Sequence, residues 1–225
     1  MKLPPPIHRW SLTPKAGIRL QERLASRVRI EPIRGSVRLV AGTDLAFSKD
    51  GQRCVAGVVV WDRQARVVVE EVVAWRPVRF PYVPGLLSFR ETPAVLAAVR
   101  RLKAIPDLFM FDAHGLAHPR RLGLACHAGQ LIDRPSVGCA KSRLCGEHGN
   151  PPAPPGRSVP LIHDHETVGA VLRTRRGVKP IYVSVGHRLT LDDALRVVMA
   201  CVTRYRLPEP TRLAHILVTH HRGRS

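Results

Sequence analysis

Three runs of apolar, β-branched residues lie close together in the first third of the chain: Val37 to Phe47, Cys54 to Trp61 and Arg66 to Trp75. Their connections, SKDGQR and DRQA, are short and turn-like, and Asp50-Gly51 is a strong hairpin signal. The pattern predicts an antiparallel three-strand meander. Ahead of it, residues 14–29 predict an amphipathic helix, with Leu20, Leu24, Ala25 and Val28 on one face and Arg19, Arg23 and Arg27 on another. After it, Thr92-Pro93 reads as a helix start, Thr as N-cap and Pro at the first helical position. Val95, Leu96, Val99, Leu102 and Ile105 then keep helical spacing until Pro106 stops the run. Asp107 to Asp112 is a fourth strand, and a helical crossover into it requires a parallel strand, so the sheet is mixed. SVGCA and IYVSVG add a fifth strand and another sheet segment. Leu191 to Tyr205 is a late helix with Leu195, Val198, Met199 and Val202 inward. The Pro/Gly-rich stretch 146–160 reads as a long surface loop within one domain spanning residues 1–225. No internal repeat occurs.

Composition narrows the partner. At 225 residues and 44% hydrophobic content, the chain can bury an ordinary core. Thirty-six Lys+Arg against seventeen Asp+Glu leave a net charge of +19, dominated by Arg, whose fork suits phosphate. A polyanion, nucleic acid above all, is the expected partner. Five cysteines, an odd number with no C-x-x-C pair, fit free thiols in a reducing cytoplasm. MKLPPPIHRW lacks an apolar signal core, and no apolar run reaches membrane-spanning length, so no membrane partner is expected. No phosphate-binding P-loop occurs, and Ser184 to His187 lacks the setting of a nucleophile elbow.

Against that basic background, three acids interrupt or close apolar segments: Asp44 in LVAGTDLAF, Glu91 in PYVPGLLSFRE and Asp112 in LFMFD. Any one alone reads as an ordinary solvated carboxylate. Together, on or beside strands that become buried, they need compensation, and a divalent cation supplies it. Three antiparallel strands, a helix and a parallel strand, with acids on the first and fourth strands, make the ribonuclease H-like arrangement: an α/β mixed sheet with flanking helices. There the two aspartates are central neighbours, as two-metal phosphoryl chemistry needs. A zinc site is the rival. His114 and His118 are four apart, but Pro119 spoils a shared helix, and Cys145, His148, His163 and His165 straddle the Pro-rich loop.

The strings AGTDLAF, PYVPGLLSFRE, DAHGLAHPRRLGLACH, VGCAKSRLCG, VGHRLTLDDAL and RLPEPTRLAH resemble the endonuclease V family from about Leu39 to His215. The resemblance implies that Asp44, Glu91 and Asp112 bind Mg²⁺, with Mn²⁺ able to substitute, and that His215 stands near the metal. It implies that Lys141 acts at the scissile phosphate, that Pro81, Tyr82, Val83 and Pro84 form a wedge entering the duplex, and that Gly85, Leu87, Gly115 and His118 surround the flipped hypoxanthine. The implied activity is nicking of damaged DNA on the 3′ side of inosine, displaced by one nucleotide, by a monomer acting in repair. A structure-directed nuclease, a nuclease for inosine in RNA, and a non-catalytic nucleic-acid-binding protein are the alternatives. One departure stands out: Ala113 follows Asp112 where the family usually has Gly, so the methyl group could reshape the pocket.

Overall fold

A computed structural model describes residues 1–222. One sheet of eight strands runs through it, in the order β3-β2-β1-β4-β5-β8-β7-β6. The meander is present as β1 (Leu39–Phe47), β2 (Arg53–Asp62) and β3 (Val67–Pro77), antiparallel throughout. Helix α2 (Leu87–Val99) crosses to β4 (Leu108–Phe111), which lies parallel to β1. Helix α3 (Leu124–Ile132) crosses again to β5 (Ser136–Ala140), parallel to β4. The hairpin β6 (Ser158–His163) and β7 (Glu166–Leu172) extends the sheet through β8 (Ile181–His187), antiparallel to β5. Helices α1 (Pro14–Ala25), α4 (Leu191–Ala200) and α5 (Glu209–Arg222) complete the order. This is the ribonuclease H-like α/β arrangement expected.

The centre of the sheet is covered on both faces. All four residues of β4 are fully buried, Phe109 and Phe111 toward α2 and α3, Leu108 and Met110 toward α4. A strand buried on both sides reads as continuous apolar sequence, which is why LFMF shows no alternation.

Several boundaries differ from expectation. Helix α1 stops at Ala25 instead of residue 29. Helix α2 starts at Leu87, so Thr92 is not its N-cap but a buried interior residue, and Pro93 lies inside the helix. The Pro93 ring removes one backbone donor, which is tolerated because the helix is packed along its length by buried neighbours. Ile105 lies beyond this helix and is 57% exposed, because the helix ends at Val99. Helix α4 ends at Ala200, not Tyr205. The 146–160 loop ends inside β6, and Glu147 makes a bridge with Ile162.

Candidate active site

The register of the central strands builds the site. Thr43 pairs with Phe111 across the parallel β1–β4 ladder, so Asp44 and Asp112 are the next neighbours along it. The Asp112 N–H reaches the Thr43 carbonyl at 3.4 Å, where the ladder is opening. Asp44 shares its face of β1 with Gly42, and that face meets α5. A Cβ at Gly42 would lie 2.0 Å from the Pro210 carbonyl carbon, so glycine is what lets the start of α5 touch the strand. That close approach carries His215 to Asp44, where Nδ1–H donates to Oδ2 at 2.7 Å.

Asp44, Asp112 and His215 bring one potential ligand atom each within 4.8 Å of the others. Burial, and next the Asp112 charge, push the Asp44 carboxyl above its ordinary value; its bonds to His215 and to the Leu45 N–H oppose this. Lys141, the first residue after β5, ion-pairs with Asp112 Oδ2. Glu91, on α2, stands outside that compact group. Burial, then Asp44 and Asp112, push its carboxyl up to about 8, with Arg90 opposing, and no described residue donates a hydrogen bond to it. Half-buried carboxylates this close and this short of donors repel one another unless a cation joins them. The donor set, carboxylate oxygens with an imidazole nitrogen, fits a hard divalent ion. With its proton moved to Nε2, His215 Nδ1 becomes a ligating lone pair.

Beside the acids opens a cavity of about 480 Å³. Tyr82, Val83, Pro84, Gly85 and Leu87 form one side of its lining, and Asp112, Ala113, His118 and Lys141 contribute to the rest. Tyr82 is 73% exposed at its rim. Gly85 takes φ +77°, a left-handed turn that ends the wedge segment just before α2. Its carbonyl accepts from Gln21 Nε2 at 2.9 Å, Arg120 Nη2 at 2.9 Å and His118 Nε2 at 3.0 Å. Because the Arg120 N–H donates to His118 Nδ1 at 3.1 Å, the His118 proton sits on Nε2. Burial, and next Arg120, lower His118 to about 4, so the ring is a neutral brace for the loop.

Two residues of the expected substrate-binding set, Pro81 of the wedge and Gly115 beside the base, fall outside the cavity lining. Pro81 is exposed at the start of the wedge and does not line it. Gly115 lies behind the wall: its N–H donates to Ser184 Oγ at 2.8 Å, and a Cβ there would lie 2.0 Å from the Val185 oxygen. Ala113 both lines the cavity and packs into the core, so its methyl group has a place. Two of the rival zinc residues are engaged elsewhere: His163 accepts from Arg121 at 2.8 Å and His148 bonds the Tyr182 hydroxyl at 3.1 Å. Sequence reasoning missed Gln21, which holds Gly85 and the Leu122 carbonyl (3.0 Å) together. Its signal was a lone amide on the apolar face of α1, beside Leu20 and Leu24. His114, weighed in the sequence only as a zinc ligand, also lines the cavity, and its Nε2 donates to the Ser142 carbonyl at 2.9 Å.

Comparison with known proteins agrees with this geometry. The chain matches the Endonuclease V family profile over residues 22–216. It is 52% identical over 215 residues to endonuclease V of Roseiflexus castenholzii, covering 96% of both chains. The Bacillus subtilis Endonuclease_V structure superposes with TM-score 0.94 at 33% identity, covering 99% of this chain and 98% of that one. Ciona intestinalis endonuclease V (D234N), solved with a 23mer DNA containing an inosine followed by a ribo-adenosine, gives TM-score 0.83 at 25% identity, covering 95% of this chain and 99% of that one. With its fold and nearly its whole length in common with these proteins, this chain belongs to the endonuclease V family.

Proposed function

We propose that this protein is a Mg²⁺-dependent endonuclease that nicks DNA on the 3′ side of inosine, displaced by one nucleotide, leaving 3′-hydroxyl and 5′-phosphate ends. The observation that carries the reading is the Asp44–Asp112–His215 group, with Lys141 beside it, at the mouth of a cavity flanked by the exposed Tyr82. Asp44, Asp112 and His215 would hold the cation, with Glu91 near enough to sense both aspartates. A divalent ion there supplies an activated water and charge stabilisation at phosphorus, and Mn²⁺ satisfies the same ligands.

The chain's own residues divide the remaining work. Lys141 turns from Asp112 to the scissile phosphate as a point cation. Tyr82, carried between Pro81 and Pro84, enters the opened duplex and stacks, offsetting the unstacking cost. Val83, Gly85 and Leu87 shape the cavity that receives the flipped base, and His118 and Gly115 position its walls. The reaction serves repair of deaminated adenine by a cytoplasmic monomer, in keeping with five free cysteines, four of them buried. Among the described residues no helix is long and apolar enough to cross a membrane.

The DNA bound by the Ciona protein, which contains an inosine followed by a ribo-adenosine, favours a second reading in which inosine in RNA is also cut. One experiment separates these readings. End-labelled strands carrying inosine in DNA, inosine in RNA or no lesion are incubated with and without EDTA. Nicking confined to inosine DNA and abolished by EDTA is expected. Nicking that survives EDTA sinks the metal assignment, and none on either inosine strand sinks the nuclease.

A further inference from the structure

A second cavity, also about 480 Å³, lies at the root of the wedge and shares no lining residue with the first. Arg76, Arg79 and Arg90 line it together with Trp10, Phe80 and Phe89. No acidic residue contributes to its lining. Phe80 immediately precedes Pro81, so the segment from Pro81 to Gly85 divides the two cavities. Helix α2 presents Leu87 and Ser88 to the first, and Phe89, Arg90 and Pro93 to the second.

The three guanidinium groups differ in their freedom. Arg90 lies 4.6 Å over the Phe47 ring and donates to the Phe80 carbonyl at 3.5 Å, which makes it a fixed charge. The side chains of Arg76 and Arg79 make no hydrogen bond or ion pair with any described residue, and both residues are exposed. Three like charges around one concave, aromatic-walled space repel one another until an anion enters. Guanidinium forks match phosphate oxygens bidentately, and apolar rings beside them accept the face of a sugar or base. The volume suits one nucleotide.

We infer that this cavity is a second nucleotide subsite, holding a backbone phosphate of the opened duplex on the far side of the wedge from the acids. The inference rests on the nucleic-acid reading above. A wedge that parts two strands leaves one beside the acidic centre, and the arginine cavity gives the parted duplex a second hold. The shared chemistry is a phosphodiester with its nucleoside, from either the damaged strand or its complement.

The test uses Arg76→Ala/Arg79→Ala and a control of equal charge loss, Arg34→Ala/Arg134→Ala. The control pair lines a different cavity, about 880 Å³, where β1 and β4 begin. Affinity for an inosine duplex is measured in calcium across a salt series. The first variant is expected to bind about tenfold more weakly near 0.1 M salt, with the salt slope reduced by about 2. The control should change neither by a comparable amount. Equal losses in the two variants would mean bulk charge alone and overturn the subsite, as would no loss in the first. Methylphosphonate linkages placed near the lesion, on one strand at a time, identify the source. The strand whose neutralised linkage weakens wild type but not the Arg76→Ala/Arg79→Ala protein is the one held, and an effect on neither strand overturns the proposal. Wild-type protein that binds inosine DNA without nicking it removes the nuclease reading alone; wild type that binds no DNA removes both.

Discussion

The two ends of the same central strands treat their carboxylates in opposite ways. Where β1 and β4 begin, Asp107 Oδ2 accepts the N–H groups of Arg38 and Leu39, each at 2.8 Å. Beside it, Asp62 accepts the N–H groups of Gln64 and Ala65 at 2.9 Å each and Arg38 Nε at 2.7 Å. The Ala65 N–H above all holds the Asp62 carboxyl below its ordinary value, although burial opposes it. Where the strands end, Asp44 has one backbone donor and a histidine, Asp112 has Lys141, and Glu91 has no described donor. Burial and mutual repulsion push Asp44 and Glu91 upward there. Acids at the first end are finished structural parts. Acids at the second are arranged for something that arrives from outside, and only those are candidates for chemistry.

The largest effect should come from substituting across this divide. Asp44→Asn or Asp112→Asn is expected to lower single-turnover nicking by on the order of a thousandfold or more. Binding to inosine DNA in calcium should be kept or tightened, since removing negative charge cannot weaken phosphate attraction. Asp62→Asn should lower the melting temperature and leave nicking close to wild type. Near-normal nicking by Asp112→Asn, or loss of nicking in folded Asp62→Asn, would erase the distinction.

Next in size is the contact that brings His215 to the acids. Gly42→Ala drives a methyl group into the Pro210 backbone, which cannot yield as a side-chain tip would. Overpacking of this kind costs about 1–3 kcal/mol or more, and α5 must shift. We expect lost stability and at least tenfold slower nicking. His215→Asn, which leaves the packing alone, separates the two effects: its loss of activity should come without a large fall in melting temperature.

A third test uses pH. Glu91 ionises near its ordinary 4.5 in an unfolded chain and near 8 in the folded one, so the folded state binds more protons between these values. The stability this contributes is fully present below pH 4.5 and is lost as pH rises through 8. In EDTA the stability of wild type relative to Glu91→Gln should therefore fall from pH 5 to pH 8, by an amount on the order of a few kcal/mol. The difference isolates Glu91, because buried histidines such as His118, held low, act with the opposite sign below pH 6.5 in both proteins. Added Ca²⁺ should stabilise more strongly at the upper end, because it competes with the proton for the same carboxylates. Asp62, with its carboxyl held low, acts with the opposite sign: its contribution is lost only in acid, outside this window. A wild-type-minus-Glu91→Gln difference that stays flat from pH 5 to 8 would mean that Glu91 is compensated after all.

Legibility in the sequence followed local signals. The meander was readable because each strand is long, β-branched and joined by a tight turn, and the acids were readable because they interrupt apolar runs. The start of α2 was not, since Thr92-Pro93 imitates an N-terminus while the real one follows the left-handed Gly85 with no side-chain cap. Helix α3 escaped because all nine of its residues are buried, which leaves no amphipathic stripe to see. The β6–β7 hairpin turns through Asp164 and His165, both at positive φ, a pair without the Asn-Gly signature. Helix α5 was unseen too, and His215 was reached only through the family resemblance. The closeness of α5 to β1 depends on Gly42, whose role appears once the two are packed. Periodicity reports one element facing a core; a site assembled from four elements depends on packing that no single segment encodes.

The smallest expected effect, and the sharpest on recognition, lies on the wedge. Tyr82 at 73% exposed contributes little to the core, so Tyr82→Ala should fold normally. Its ring is expected to return about 1–3 kcal/mol of stacking when a base pair is opened, which is roughly 5- to 150-fold in affinity. Inosine in a single strand has already lost its pairing, so the variant should cut unpaired inosine nearly as fast as wild type while slowing on the paired form. Lys141→Ala should behave differently. It removes the cation beside Asp112, and the scissile phosphate is common to every substrate, so paired and unpaired inosine should slow alike. Single-turnover rates for both variants on both substrates give a two-by-two comparison. Equal losses for Tyr82→Ala on paired and unpaired inosine would return Pro81 to Pro84 to the status of a surface loop. Unequal losses for Lys141→Ala would move that lysine from the chemistry to recognition.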